Sequence, residues 1–115
     1  MIGSVAESGA LKERTGHFSS RVDFGVSHYR VTNFNADFDQ HGFSGSSATT
    51  PNSQPFGVTA GAFSGRGNVS DLTLNASGYF GGSPTAAGAP PPEMGGSFSI
   101  TGGSYSANGV FVGKQ

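Results

Sequence analysis

The chain has 115 residues, 20 of them glycine and 10 phenylalanine, with charged residues at 11% and a net charge of −1. That length suits one domain with a modest core. With no cysteine and no basic stripe, the composition excludes disulfides and thiolate metal sites and argues against nucleic acid as a partner. Abundant Gly, Ser and Pro could describe a low-complexity tract, but regularly spaced phenylalanines need a core, so the chain reads as a folded all-β domain.

The opening "MIGSVAES" is too polar for an export signal and no transmembrane run follows, so the chain is expected to be cytoplasmic or a domain of a longer exported protein. Residues 1–16 are an N-terminal segment, either a first strand or a short helix. "AESGALKERTG" offers only Ala10 and Leu11 as central apolar residues. The barrel domain proper is expected over residues 17–115. In "HFSSRVDF", Phe18, Val22 and Phe24 share one face and His17, Ser19, Arg21 and Asp23 the other; Gly25–Ser27 turns the chain. "NFNADFD" sets Phe34, Ala36 and Phe38 against Asn35, Asp37 and Asp39, and Asp39–Gly42 is a turn. Shorter strands follow around Phe43 and Phe63, separated by turn residues Thr50–Pro55.

After a turn at Gly67–Asp71, "DLTLNASGYF" sets Leu72, Leu74, Ala76 and Phe80 against Thr73, Asn75, Ser77 and Tyr79. Gly81–Pro92 carries four prolines and reads as a surface loop. Strands around Phe98 and Ile100, and over "SYSANGVFVG", close the chain across a Thr101–Gly103 turn. About eight short strands joined by tight hairpins predict a soluble, eight-stranded, antiparallel up-and-down β-barrel with a Gly/Phe-rich interior. A large ring fits a narrow barrel where a neighbouring strand places something tiny, as in Gly61-Ala62-Phe63-Ser64-Gly65. Inward candidates are Phe18, Phe24, Phe34, Phe38, Phe43, Phe63, Phe80, Phe98, Tyr105 and Phe111. These are too few to coat a membrane-facing band and also fill an interior, so no membrane insertion is expected.

An interior filled by rings moves binding to the hairpin tips: His28, Tyr29 and Arg30; Asp39, Gln40 and His41; and Ser46–Gln54. No cofactor is called for. His28 or His41, or Tyr29, could ligate haem iron, but the histidine spacing matches no metal motif and polar turns collect histidines anyway. Asp37 and Asp39 would project from one strand face about 7 Å apart. That is a carboxylate pair suited to glycoside chemistry or calcium, and more simply a solvated face. No Gly-x-Ser-x-Gly elbow supports a hydrolase, "GRGNVSD" lacks the lysine and helix of a phosphate loop, and no catalytic residue is assigned.

The last third resembles the C-terminal β-barrel of the bacterial transferrin-binding-protein-B-like surface lipoproteins. The matching positions are Gly78, Tyr79, Phe80 and Gly81; Glu93, Gly95, Gly96 and Phe98; and Gly109, Phe111, Gly113 and Lys114. The Tyr-Phe order is reversed, Gly82 stands where a proline is usual, and no lipobox cysteine is present. In that family the motif residues are scaffold. The resemblance implies a non-catalytic binding or display module on the outer surface of a Gram-negative cell, with a host iron-carrier protein or haem held through loops. The alternative is a structural or assembly module of a larger exported protein with no small ligand. The oligomeric state is left open.

Overall fold

The computed structural model describes residues 1–7, 9–51, 53–65, 71–81 and 93–114. Nine strands run β1 (Ile2–Glu7), β2 (Ala10–Phe24), β3 (His28–Phe38), β4 (His41–Ser47), β5 (Thr50–Pro51), β6 (Phe56–Gly65), β7 (Thr73–Gly81), β8 (Glu93–Gly102) and β9 (Tyr105–Lys114). Each pairs antiparallel with its neighbours, and β9 returns to β1. Apart from the two-residue β5, which caps the edge of β3, these make a closed eight-stranded up-and-down barrel with no helix among the described residues. The Gly81–Pro92 loop and the Gly67–Asp71 turn fall largely outside the described residues.

Residues 1–16 belong to the barrel wall. The short-helix alternative fails because β1 and the first part of β2 form a hairpin, Ile2 opposite Thr15 and Glu7 opposite Ala10.

Alternation decides the interior. Phe34, Phe38, Phe43, Phe56, Phe98 and Phe111 are buried with Val5, Val31, Val58, Leu72, Leu74 and Ile100, and Phe18 and Phe80 pack against them. Outward positions of the same strands are polar: Asn33, Asn35, Thr59, Asn75, Ser77 and Ser97 are exposed. The rings touch in a chain. Phe18 stacks on Phe34 at 5.6 Å, and Phe111 meets Phe18, Phe34 and Phe56 at 5.1, 6.0 and 6.2 Å. Each ring taken fully from water contributes about 1.5–3 kcal/mol, and edge-on contacts add to it.

Two expected inward rings are not inside. Phe63 is 65% exposed because counting by twos along β6 puts it on the outer face, and a β-bulge that pairs Phe43 with Ala62 and Gly42 with Ser64 leaves it no opposite number. The inward row of β6 is instead Phe56, Val58, Ala60 and Ala62, and Phe63 lies over Gly42 on the outer surface. Phe24, at the tip of β2, is 41% exposed. Tyr29, read as a hairpin-tip residue, and Phe56, just past the Thr50–Pro55 turn, supply the missing interior bulk.

The small partners of the rings are other glycines than Gly61 and Gly65. Phe98 covers Gly3 and Gly109, Phe38 covers Gly16, Phe56 covers Gly78 and Phe18 covers Gly113. Several inward glycines do a second thing. A Cβ on Gly16 would collide with the Asp37 carbonyl, on Gly45 with that of Thr59, on Gly96 with that of Ser77, and on Gly109 with that of Ile2. These four contacts lie at β2–β3, β4–β6, β7–β8 and β9–β1, every second junction around the wall. The barrel therefore has four glycine corners where strands coil tightly, joining four two-stranded sides.

Candidate binding surface

The residues read as one cluster of hairpin tips are divided between the two ends of the barrel. His28–Arg30 open β3 and Asp39–His41 follow its end, roughly 30 Å away by strand rise. They cannot grip one ligand. His28 and Arg30 are exposed, with His28 Nδ1 bonded to Ser27 Oγ at 2.8 Å and Arg30 Nε donating to the Ser47 carbonyl at 3.3 Å. Tyr29 is buried, and its hydroxyl donates to the Gln54 carbonyl at 2.7 Å, pinning the segment between β4 and β6 to the barrel rim. Ser47 is buried there too, accepting from the Val31 amide at 2.9 Å.

Burial, and next the nearby Tyr79, raise the Tyr29 pKa above the usual tyrosine value of about 10. In the unfolded chain Tyr29 ionises near pH 10 while the folded state holds its proton. Its contribution is whole below pH 10 and is lost as pH rises through the folded pKa. Urea midpoints of the native protein should therefore fall above pH 10 more steeply than those of Tyr29→Phe. Parallel curves would remove Tyr29 from the alkaline transition.

At the other end, Asp39 and Gln40 both have positive φ, 48° and 63°, the signature of a two-residue hairpin turn. That backbone swings Asp39 off the face that holds Asp37. The Asp39 side chain is 6% exposed and accepts from Arg14 Nε at 3.1 Å and from the Tyr105 hydroxyl at 2.9 Å, whereas Asp37 is exposed on the outer wall. The pair expected to act together is thus divided, and Asp39 ties β2, the β3–β4 turn and β9 together. His41 is buried against the rings of Tyr105 and Phe43 at 5.1 and 6.4 Å, and Gln40 alone of the three is exposed. Among the described residues no three His, Asp or Glu side chains gather as a metal site would require.

Of the motif residues, Gly78, Gly96 and Gly109 stand at corners, Gly113 lies under the Phe18 ring, and Phe98 and Phe111 are core. Phe80 caps the interior between Phe24, Tyr29 and Phe56. Tyr79, Gly81 and Glu93 are exposed, Gly95 faces outward between Tyr79 and Val112, and Lys114 pairs with Glu93 along the backbone.

One concavity is not announced by the pattern of residues. β2 is 15 residues long and β1 only 6. Ala10–Thr15 pair with β1, and Gly16–Phe24 pair with β3 on the other side. Among the described residues, no strand pairs with the β1-facing side of β2 over Phe18–Phe24 or with the matching side of β9 past Val110. A cleft of about 500 Å3 runs between them, lined by Phe18, Ser20, Val22 and Phe24 on one side, Val112 and Gly113 on the other, with Phe80 and Met94 beneath. Side chains alone bridge it, Ser20 Oγ donating to Met94 Sδ at 3.2 Å. Beside it, outward-facing Ile2, Val110, Val112 and Tyr79 are 53%, 52%, 70% and 63% exposed and form an apolar strip across β1, β9 and, past Gly95 of β8, β7. The signal was the unequal lengths of the first hairpin's arms, visible only once residues 1–16 are seen as wall.

Compared with protein-family models, curated proteins and solved structures, the chain matches none. The class defined by fold and surface is a closed antiparallel barrel with a ring-filled interior and one incomplete seam.

Proposed function

We propose that this protein is a non-catalytic binding module whose partner is another protein, held at the wall around β9. One observation carries the reading: the interior is occupied by its own rings, while the exposed apolar strip of Ile2, Val110, Val112 and Tyr79 borders the cleft between β2 and β9. Exposed apolar area gathered in one place marks interaction sites, whereas scattered residues do not. The reading moves binding from the hairpin tips to the barrel side. Resemblance of the last third to the transferrin-binding-protein-B-like barrels supports display outside a bacterial cell, and a host iron-carrier protein is the partner class it suggests. Haem is the weaker ligand, since His28 and His41 stand at opposite ends and His41 is buried.

The same strip favours a second reading, a structural module that assembles through its wall. Immobilised protein should retain a serum component that Val110→Lys no longer retains, with the variant's melting curve unchanged. Sedimentation separates the readings. A concentration-dependent dimer abolished by Val110→Lys, with nothing captured, selects assembly; a monomer that captures nothing ends both.

A further inference from the structure

We propose that the outer face of β6 is a shallow trough that binds an extended, uncharged glycan. It lies three strands round the wall from β9 and stands independently of the binding reading above.

Register builds the trough. The outward positions of β6 are Gly57, Thr59, Gly61 and Phe63. A Cβ on Gly57 or Gly61 would meet nothing within 4 Å, so the space above the strand is open. Its banks are the neighbours in register, Ser46 and Ser44 on β4 and Ser77, Asn75 and Thr73 on β7. Among the described residues these side chains make one bond to each other, Thr59 Oγ1 donating to Asn75 Oδ1 at 3.2 Å. The trough ends at Phe63. That ring lies across β4, its Cζ and Cε1 3.0 and 3.4 Å from where a Gly42 Cβ would stand, and it remains 65% exposed. Glycine at position 42 is what lets the ring lie down on the wall. Exposed Asp37 stands opposite Gly42 on β3. The Ala62 amide donates to the Leu72 carbonyl at 3.3 Å, which sets exposed Asp71 beside Phe63 on the β7 side.

The chemistry of floor and banks selects the ligand. A pyranose ring carries C–H groups on its faces and hydroxyls round its rim. The C–H groups, slightly positive, suit the negative face of an aromatic ring. The hydroxyls both donate and accept, as serine, threonine and asparagine side chains do. Only 11% of this chain is charged, against about 25% in an ordinary one, and neither floor nor banks carry any charge. Nucleic acid needs cations, and a protein interface needs an apolar centre larger than one ring. Asp37 and Asp71 can accept from sugar hydroxyls and would repel a uronate or a sulfated sugar, so the glycan is neutral. The trough follows a single strand, so the ligand is extended; a coiled glucan would touch it at one ring only. From Phe63 to Gly57 is about 20 Å by strand rise, room for about four β-linked pyranose rings.

The test is electrophoresis of the whole protein through native gels containing hydroxyethylcellulose, glucomannan or polygalacturonate. Migration should be retarded in at least one of the two neutral gels and not by polygalacturonate. Phe63→Ala removes the stacking face and Gly61→Thr fills the floor, and each should weaken retardation about tenfold or more. Phe63→Tyr should keep it, and Val110→Lys, on the β9 strip, should be retarded as strongly as the native protein. The threonine at position 61 enters open space, so its melting curve should match the native one. Should either variant unfold, the other decides. The proposal is overturned if neither neutral polysaccharide retards the protein, if polygalacturonate retards it as strongly, or if Phe63→Ala and Gly61→Thr both behave as native. Loss in Val110→Lys with Phe63→Ala unchanged would move the glycan to β9 and overturn it too. Serum capture lost in Phe63→Ala, with no retardation in any gel, would overturn it in favour of a protein occupant.

Discussion

Phe111→Ala should cost about 4 kcal/mol and lower the melting temperature by roughly 15 °C in a chain of this size. Phe111 is 1% exposed and touches three other rings, Phe18, Phe34 and Phe56. Truncation removes its transfer free energy and opens a void bounded by aromatic faces that cannot collapse, because each is held by its own strand. Small domains hold only about 5–15 kcal/mol in total, so the loss is a large share. Calorimetry on the purified variant measures it, and a change under about 5 °C would mean the rings are not one packed column. Phe63→Ala is the matched comparison. That ring lies on the outer wall, and its removal should fall within about 1 kcal/mol of neutral.

Glycine substitutions should split by location more sharply than by residue type. Gly96→Ala places a methyl against the Ser77 carbonyl and the Gly78 backbone, which no side-chain rotation relieves. About 3 kcal/mol of destabilisation is expected, with forced spreading of the β7–β8 corner. Gly57→Thr is the opposite case: its Cβ would meet nothing within 4 Å, on an exposed strand position. Removing glycine's unfolded-state entropy and adding a β-branched side chain should stabilise by roughly 0.5–1 kcal/mol. Urea midpoints of the pair decide. Equal destabilisation by both would refute the corner interpretation.

The architecture was legible because period-two alternation is strong wherever one face is buried. Phe34-Ala36-Phe38 and Leu72-Leu74-Ala76 announce their inward faces without help. Alternation misleads where the wrong residue sets its phase. Phe63 reads as the inward ring of its strand, whereas counting by twos from Phe56 through Val58, Ala60 and Ala62 puts it outside. Asp39 was misplaced for a related reason. Counting by twos carried it onto the face of Asp37, whereas its backbone had already entered a left-handed turn. Tyr29 was read as a loop residue because polar neighbours surround it, and its burial comes from Phe24 across the β2–β3 hairpin and from Phe80 and the Gln54 carbonyl, both distant in sequence. The cleft is least legible of all. It arises from where one strand stops relative to two others, a property of register that composition does not carry.

The junction of β9 with β1 differs from the other seven in how far apart its members lie along the chain: Ile2 sits opposite Val110. Every other pairing joins strands that follow one another or nearly so, and can form as the chain zips up. Closure of the loop spanning the whole domain is therefore met at one place, the seam between β1 and β9, which closes last. Until it does, the β1 edge of the first hairpin and the edge of β9 stand bare. Two molecules meeting in that interval can trade first hairpins, each completing the other's cylinder with native bonds. Gly3 and Gly109, which fit only when backbone lies against backbone, make the correct stave hard to imitate.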